Sequence, residues 1–250
     1  MMKQLKGTVR ILTETKYHLH MQVDKKALVD SLLIKYSFND WNGNLVEENF
    51  DNLDGAGRDI AYKYDDNGNI IEECIYTVKG KFNSKSTYKY AANGNIIEKC
   101  IYNSRNKLID IIKYKCDNKG KIIEETFGNY KGSHREILYK YDSKGDMIER
   151  IDYDHLGKLM FETKFKYDDN GLLIEKDRFD FFGRCISKSK YKHDEPGNVI
   201  EEFIYANNGK NISKDTYKFD EYDKFGNWTM KVWYVAEEPI TLTKRVIDYY

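Results

Sequence analysis

The sequence predicts an all-β protein made of tandem antiparallel β-hairpin repeats of 25–26 residues, which form one long, coiled or curled meander sheet. Three observations predict this class: regularly spaced glycines, an aspartate shortly before most of them, and alternating aromatic and charged residues in between. One series of glycines recurs every 25 or 26 residues until a short insertion before its last member: Gly43, Gly68, Gly94, Gly120, Gly145, Gly171, Gly197 and Gly226. A second series follows twelve residues later: Gly55, Gly80, Gly132, Gly157, Gly183 and Gly209.

The glycines mark the turns between strands. An aspartate at the first position and glycine at the fourth, as in Asp65 to Gly68, indicate a type I turn in which glycine takes positive φ. Asn106 stands where the second series lacks glycine, and asparagine tolerates positive φ better than most residues. Residues such as Pro196 before the glycine exclude a two-residue type I′ turn as the general solution. We therefore expect three-residue loops with a glycine bulge, and an irregular turn at Pro196.

The unbroken period predicts a single domain over residues 1–250. Its parts are N-terminal cap strands at 1–35, hairpin repeats at 36–226 and C-terminal cap strands at 227–250. Gly7–Tyr17 has the pattern of a strand, and Lys25–Tyr36 is compatible with a helix or a strand, of which we favour the strand. The alternating segment Ile240–Tyr250 is expected to close the last edge of the sheet.

The predicted loop geometry determines which side chains share a face. We expect each loop to preserve side-chain parity, meaning that residues an even number of positions from the glycine lie on one face on both strands. This places the tyrosines before each glycine and the glutamates after it on one face. The candidate ligand-binding residues on that face are Tyr62, Tyr64, Tyr88, Tyr90, Tyr139, Tyr141, Tyr167, Glu72, Glu98 and Glu124. Tyrosine rings can stack on sugars or anchor a protein partner. The alternative, which we favour for the tyrosines, is that they are the packing layer of the sheet.

Composition and motifs argue against several classes of function. Lys plus Arg and Asp plus Glu number 41 each, so no net charge attracts nucleic acid. No apolar run is long enough for a membrane span or a signal peptide, which favours a cytoplasmic location. We expect four free cysteines, Cys74, Cys100, Cys116 and Cys185, because no C-x-x-C pair occurs and the first two lie beyond disulfide reach. The five histidines have no metal-ligand spacing, and no catalytic motif appears, so we expect no metal, no cofactor and no enzymatic activity.

The repeated element Y-x-Y-D-x-x-G, as in Tyr62–Asn69, resembles the YD repeat of the RHS family over roughly Tyr36 to Trp233. The resemblance implies long antiparallel sheets that spiral, which in large bacterial toxins form a shell around a toxic domain. The period here is longer than the usual one, and the chain is too short to enclose such a domain. The segments Gly226–Thr229 and Arg245–Tyr250 resemble the ends of small stand-alone bacterial hairpin-repeat proteins.

Two hypotheses of function follow. The first is a non-catalytic binding or scaffold protein that presents a repetitive Tyr/Glu surface to a protein or carbohydrate partner. The alternative is an accessory or immunity-type partner in an RHS-like bacterial toxin system, which rests on the resemblance.

Overall fold

Every regular element that the structure describes is a β-strand. The computed structural model describes residues 6, 8–22, 25–38, 44–52, 57–129 and 134–250. In chain order the strands are β1 (Val9–Gln22), β2 (Lys25–Phe38), β3 (Leu45–Asn52), β4 (Arg58–Tyr64), β5 (Ile70–Thr77), β6 (Phe82–Tyr90), β7 (Ile96–Tyr102), β8 (Leu108–Cys116), β9 (Ile122–Asn129), β10 (His134–Tyr141), β11 (Met147–Tyr153), β12 (Leu159–Tyr167), β13 (Leu173–Asp180), β14 (Cys185–His193), β15 (Val199–Tyr205), β16 (Asn211–Tyr222), β17 (Trp228–Val235) and β18 (Glu238–Tyr249). The predicted all-β class is confirmed, and so is the strand predicted at Lys25–Tyr36.

The chain divides into two compact units. One consists of Met1–Lys85 with Asp215–Tyr250, and the other of Ser86–Lys214. In the second unit, each strand from β7 to β15 pairs antiparallel with the next, as hairpin repeats require. In the first unit, β2 to β5 form a similar meander, while β16 pairs with β17 and β17 with β18. Strand β1 pairs with both β2 and β18, so the edge predicted to be closed by the C-terminal segment is paired with the N-terminal strand.

The turns have the predicted geometry. Gly68 has a φ of 80° and donates its N–H to the carbonyl of Asp65 at 3.0 Å, while the Asp65 N–H donates to the carbonyl of Asn69 at 2.9 Å. One carboxylate oxygen of Asp65 accepts the backbone N–H groups of Asn67 at 3.0 Å and Asn69 at 2.8 Å. These bonds are those of a type I turn followed by a glycine bulge, which confirms the three-residue loop.

Two turns with unusual residues, Asn106 and Pro196, test the predicted loop geometry further. Asn106 has a φ of 56°, which confirms that it stands in for glycine. The turn at Pro196 keeps both backbone bonds, from Gly197 to the carbonyl of Asp194 at 2.9 Å and from Asp194 to the carbonyl of Asn198 at 3.0 Å. The expected irregularity is therefore wrong: because proline has no N–H, this turn lacks one bond to the aspartate side chain and keeps the backbone pattern. Gly43, Gly55 and Gly132 lie outside the described residues.

The expectation of preserved parity is wrong for most hairpins, because they contain a second bulge; the hairpin of β16 and β17 has none and keeps its register. Tyr64 pairs with Ile70, but Lys63 pairs with Glu72, which leaves Ile71 as an extra residue. Directly paired residues of antiparallel strands share a face, so Glu72 lies on the side of Lys63. The glycine bulge alone preserves parity; the second bulge reverses it. We call the side of each hairpin that carries the Y-x-Y tyrosines its tyrosine face, and the opposite side its lysine face.

The second bulge recurs along the chain, and its extra residue is apolar. The extra residues are Val46, Ile71, Ile109, Ile123, Ile148, Met160, Ile174, Ile186 and Ile200. Several of them are exposed, Ile174 to 39%. A bulge residue drops out of the regular pairing, so the repeat of isoleucine at this position marks a fixed kink rather than a core contact.

The packed layer lies on the tyrosine face. Two residues before the first aromatic of each Y-x-Y element, the chain carries a row of buried residues: Ile60, Ser86, Ile112, Ile137, Thr163 and Ser189. Ile137 is only 2% exposed. Alternate strand residues point to the same side, so within each strand the buried residue and the aromatic residue that follows it lie in the same layer.

Candidate functional site

The second tyrosine of the Y-x-Y element binds the backbone of the neighbouring strand. The phenols donate hydrogen bonds to the carbonyls of the first residue of that strand: Tyr64 to Leu45, Tyr141 to Ile122 and Tyr167 to Met147. Cys116 occupies the same place in its repeat, and its thiol contacts the carbonyl of Ile96 at 3.7 Å. Three predicted ligand-binding residues therefore use their hydroxyl groups within the sheet.

The first tyrosine of the element is held by burial and by glutamate. Tyr62 donates to the carboxylate of Glu48, and burial together with this bond raises the pKa of its phenol. Burial also raises the pKa of Tyr114 and Tyr139 to about 12, with a further contribution from the negative charge of Glu125. A half-buried phenol that stays neutral is suited to packing. The structure thus places these tyrosines in the packed layer, as the alternative proposed.

The predicted glutamates lie on the other face from the tyrosines. Each forms an ion pair across its own hairpin, at 2.6 Å for Lys63 and Glu72, 2.6 Å for Lys89 and Glu98, and 3.6 Å for Lys115 and Glu124. The structure does not bring the predicted tyrosines and glutamates together, so the expected mixed surface is a wrong prediction. Its cause is the second bulge, which moves these three glutamates to the lysine face.

Charges on the lysine face compensate one another. Glu175 lies between Lys166 at 2.5 Å and Lys188 at 3.1 Å, and Glu201 lies between two lysines in the same way. The hydrogen bond from Lys166, and then that from Lys188, lowers the pKa of Glu175 against the opposing effect of burial. A row of such pairs leaves little net field at the surface.

An aromatic-walled groove of about 450 Å³ lies on the lysine face of β13, β14 and β15. Phe179 belongs to β13 and Tyr205 to β15, so one strand separates the two rings by roughly 10 Å between strand axes. Cys185 pairs with Phe179, and Lys188 pairs with Tyr205, which places β14 as the floor of the groove. Polar side chains line it as well: Asp177, Lys188, Lys190 and Asn207.

Asp177 gives this groove an unused acceptor. One of its carboxylate oxygens pairs with the ammonium of Lys188 at 3.1 Å. The other is buried and has no hydrogen-bond partner among the residues that the structure describes. A buried acceptor without a donor is costly, so a ligand that donates a hydrogen bond here is favoured. Sequence reasoning missed the groove, because it depends on the register of three strands.

The described residues contain neither a disulfide bond nor a cluster of metal ligands. All four cysteines are free thiols, as predicted. Within the described ranges, no group of three or more His, Cys, Asp or Glu side chains could hold a metal ion. None of the described residues forms a helix long and apolar enough to cross a membrane.

Comparisons with known proteins show a fold but no family. No family model matches the chain, and no curated protein matches it. A crystal structure of a porin-like protein from Bacteroides uniformis is similar at a TM-score of 0.54 and 11% identity, covering 96% of this chain and 98% of that one. At this identity the likeness concerns the fold alone. A TcdB2-TccC3-Cdc42 structure matches at a TM-score of 0.22 and 10% identity over 90% of this chain and 18% of that one, and carries no argument. The resemblance to RHS repeats therefore stays a prediction.

Proposed function

We propose that this chain is a non-catalytic binding protein that captures a short carbohydrate in the groove between Phe179 and Tyr205. The observation that carries the proposal is the combination of two aromatic walls with a buried, unpaired carboxylate oxygen of Asp177. A volume of about 450 Å³ lies within the range of small-ligand sites. The repeat supplies rigid strands on which such a site can be held.

The chemistry of the groove matches that of a sugar. Aromatic rings provide flat apolar surfaces for the C–H side of a pyranose. Sugar hydroxyl groups can donate to the free oxygen of Asp177 and accept from the amide of Asn207 or the ammonium of Lys190. Binding would thus give the buried acceptor the donor that it lacks in the free protein, which is a gain specific to the complex.

The proposal is tested by a glycan array followed by calorimetric titration of the retained glycan. Tyr205→Ala and Asp177→Asn are expected to weaken binding by about tenfold or more. Tyr153→Ala is the matched control, because it removes a ring at the corresponding place of another hairpin outside the groove. Retention of no glycan, or equal weakening by all three variants, would reject the proposal. Capture of a protein that competes for the same groove would replace the carbohydrate with a protein ligand.

A second candidate function is to bind an RHS-like toxin as its partner, and an exposed apolar surface formed by two turns favours it. The turns β11–β12 and β13–β14 expose Leu156 to 78% and Phe182 to 68%, and the ring of Phe181 lies against that of Phe182 at 3.9 Å between centroids. Exposed apolar side chains in neighbouring turns are typical of protein-binding surfaces. Co-purification from the native host tests this role: the wild type should retain a toxin-like partner, and L156S/F182S should lose it. Absence of such a partner would count against the role.

A further inference from the structure

A second cavity, separate from the groove, lies on the tyrosine face of β10 to β13. Its volume is about 380 Å³. The charged side chains that line it are Arg135, Arg150, Asp152, Lys176 and Arg178. Four cations and one carboxylate thus surround a small space in a protein whose total charge is zero. Such a concentration of one sign is unlike the compensated lysine face.

The register of three strands assembles these cations. Thr163 of β12 is buried and pairs directly with Arg150 of β11 on one side and Arg178 of β13 on the other. Lys176 pairs with Phe165, the next residue of β12 on the same face. Since paired residues of neighbouring strands share a face, the three positive side chains converge over one stretch of β12.

The carboxylate in the cavity neutralises only part of this charge. Asp152 accepts two hydrogen bonds from Arg150, at 3.0 Å and 2.8 Å, and lies 3.7 Å from Arg135. Arg178 stacks on the ring of Phe161, with 3.9 Å from its guanidinium carbon to the ring centroid. Stacking occupies the flat side of a guanidinium and leaves its N–H edge able to bind an anion. Neither Arg178 nor Lys176 forms an ion pair with a carboxylate among the residues described.

Arg178 is an exception within the repeat, whereas Arg150 and Lys176 occupy a place whose charge varies. The corresponding place holds glutamate in some hairpins, as at Glu73, Glu125 and Glu202, and lysine in another, at Lys99. The place of Arg178 is taken elsewhere by apolar residues such as Ile75 and Ile204. Arg178 therefore departs from a mostly apolar place and adds positive charge to the cavity, while Asp152, at the same place of the preceding hairpin, adds one negative charge.

We propose that this cavity binds a small phosphate ligand that carries at least two negative charges. Guanidinium groups match phosphate oxygens with paired hydrogen bonds, and a lysine ammonium adds a mobile positive charge. The cavity lies within the size range of small-ligand sites, and its net charge requires more than one negative charge for balance. This site uses the other face of the sheet and does not depend on the carbohydrate proposal.

Calorimetric titration with inorganic pyrophosphate tests the proposal. The wild type should bind one equivalent, and the affinity should fall as sodium chloride is added, because salt screens the partly exposed cations. Lys176→Gln and Arg178→Gln together should weaken binding by about tenfold or more. The control is Lys166→Gln, which removes the same charge from β12 on the opposite face. Circular dichroism of each variant checks that the strands are intact.

The proposal would be overturned by the absence of saturable pyrophosphate binding by the folded wild type, by unchanged affinity in the folded double variant, or by a loss in Lys166→Gln as large as in the double variant. Stronger binding of a single-stranded oligonucleotide than of pyrophosphate at the same charge concentration would likewise contradict a small ligand. If Arg178→Gln does not fold, Lys176→Gln alone decides, because Lys176 is exposed and its loss removes no packed side chain.

Discussion

The phenol of Tyr167 donates a hydrogen bond to the backbone carbonyl of Met147, 2.9 Å away. Tyr167 ends β12 and Met147 begins β11, so the bond joins two neighbouring strands at the end opposite their turn. The paired residues of these two strands run from Glu149 and Lys164 to Tyr153 and Leu159 beside the turn. The tyrosine thus extends the pairing beyond the ladder, which gives the repeated Y-x-Y element a structural role.

Replacement of this phenol should destabilise the sheet by a modest amount. Tyr167→Phe keeps the ring and removes one hydrogen bond to a backbone carbonyl, which predicts a loss of about 0.5–1.5 kcal/mol in the free energy of unfolding. Urea denaturation measures the change. Tyr153→Phe, whose phenol has no hydrogen bond to a described residue, is the control. A loss no larger than that of the control would show that the bond contributes nothing.

The glycine turns predict a ranking of substitutions at one position. Gly157 has a φ of 72° and no atom near the place of an added Cβ, so a substitution there meets backbone strain and no clash. Gly157→Ala should cost about 1–2 kcal/mol of stability. Gly157→Asn should cost less, since Asn106 adopts the same conformation in another turn. Thermal unfolding of both variants checks the order, and equal costs would contradict it.

The ion pairs of the lysine face predict acid sensitivity. The pKa of Glu175 in the folded protein is lowered from its ordinary value of 4.5, first by the hydrogen bond from Lys166. A depressed carboxyl pKa contributes stability that is present above the unfolded value and is lost as pH falls through the folded one. Stability should therefore decline below about pH 4.5, and Glu175→Gln should show a shallower decline.

Urea denaturation between pH 3 and pH 7 tests the acid prediction. Addition of 1 M sodium chloride should reduce the difference between wild type and Glu175→Gln, because the pairs with Lys166 and Lys188 are partly exposed to solvent. Profiles of the two proteins that superimpose at low salt would show that this glutamate does not control the acid response.

A buried ion pair joins the first and last strands. Arg245 of β18 donates to the carboxylate of Glu14 of β1 at 2.9 Å, and its guanidinium carbon lies 3.3 Å from the ring centroid of Trp228. Burial lowers the pKa of nearby Lys231, and the charge of Glu14 opposes that change. The negative charge of Glu14 thus stabilises the positive charges of Arg245 and Lys231 in a place with little access to water.

Removal of one member of this pair should be costly. Glu14→Leu leaves Arg245 buried without its carboxylate, which predicts a loss of about 3 kcal/mol in the free energy of unfolding. Glu14→Leu with Arg245→Leu should recover part of that loss, because the second change removes the buried cation that has lost this carboxylate. Chemical denaturation of the single and double variants measures the coupling. Strictly additive losses would mean that the two side chains do not interact.

Local signals in the sequence predicted the turns correctly. Asp65 and Gly68 supply a side-chain acceptor and a positive φ within one loop, and the structure contains both. Asn106 was identified by the same reasoning. Each of these features depends on residues within a few positions of one another, so it can be predicted without knowledge of the rest of the fold.

By contrast, the faces could not be predicted, because one extra residue in most hairpins reverses them. Nothing in the letters around Ile71 distinguishes a ladder residue from a bulge residue, since isoleucine suits both. That one shift moved Glu72 away from the tyrosines and made the expected Tyr/Glu surface wrong.

The sequence by itself determined the strand-and-turn order of this protein, because glycine, aspartate and asparagine act on the backbone next to them. Only the tertiary structure decided which side chains meet. It brought Arg150 and Arg178 to either side of Thr163, Phe179 and Tyr205 to either side of β14, and Glu14 to Arg245. Each of these relationships depends on the register between strands, which is set by bulges and packing over distances that a sequence pattern does not encode.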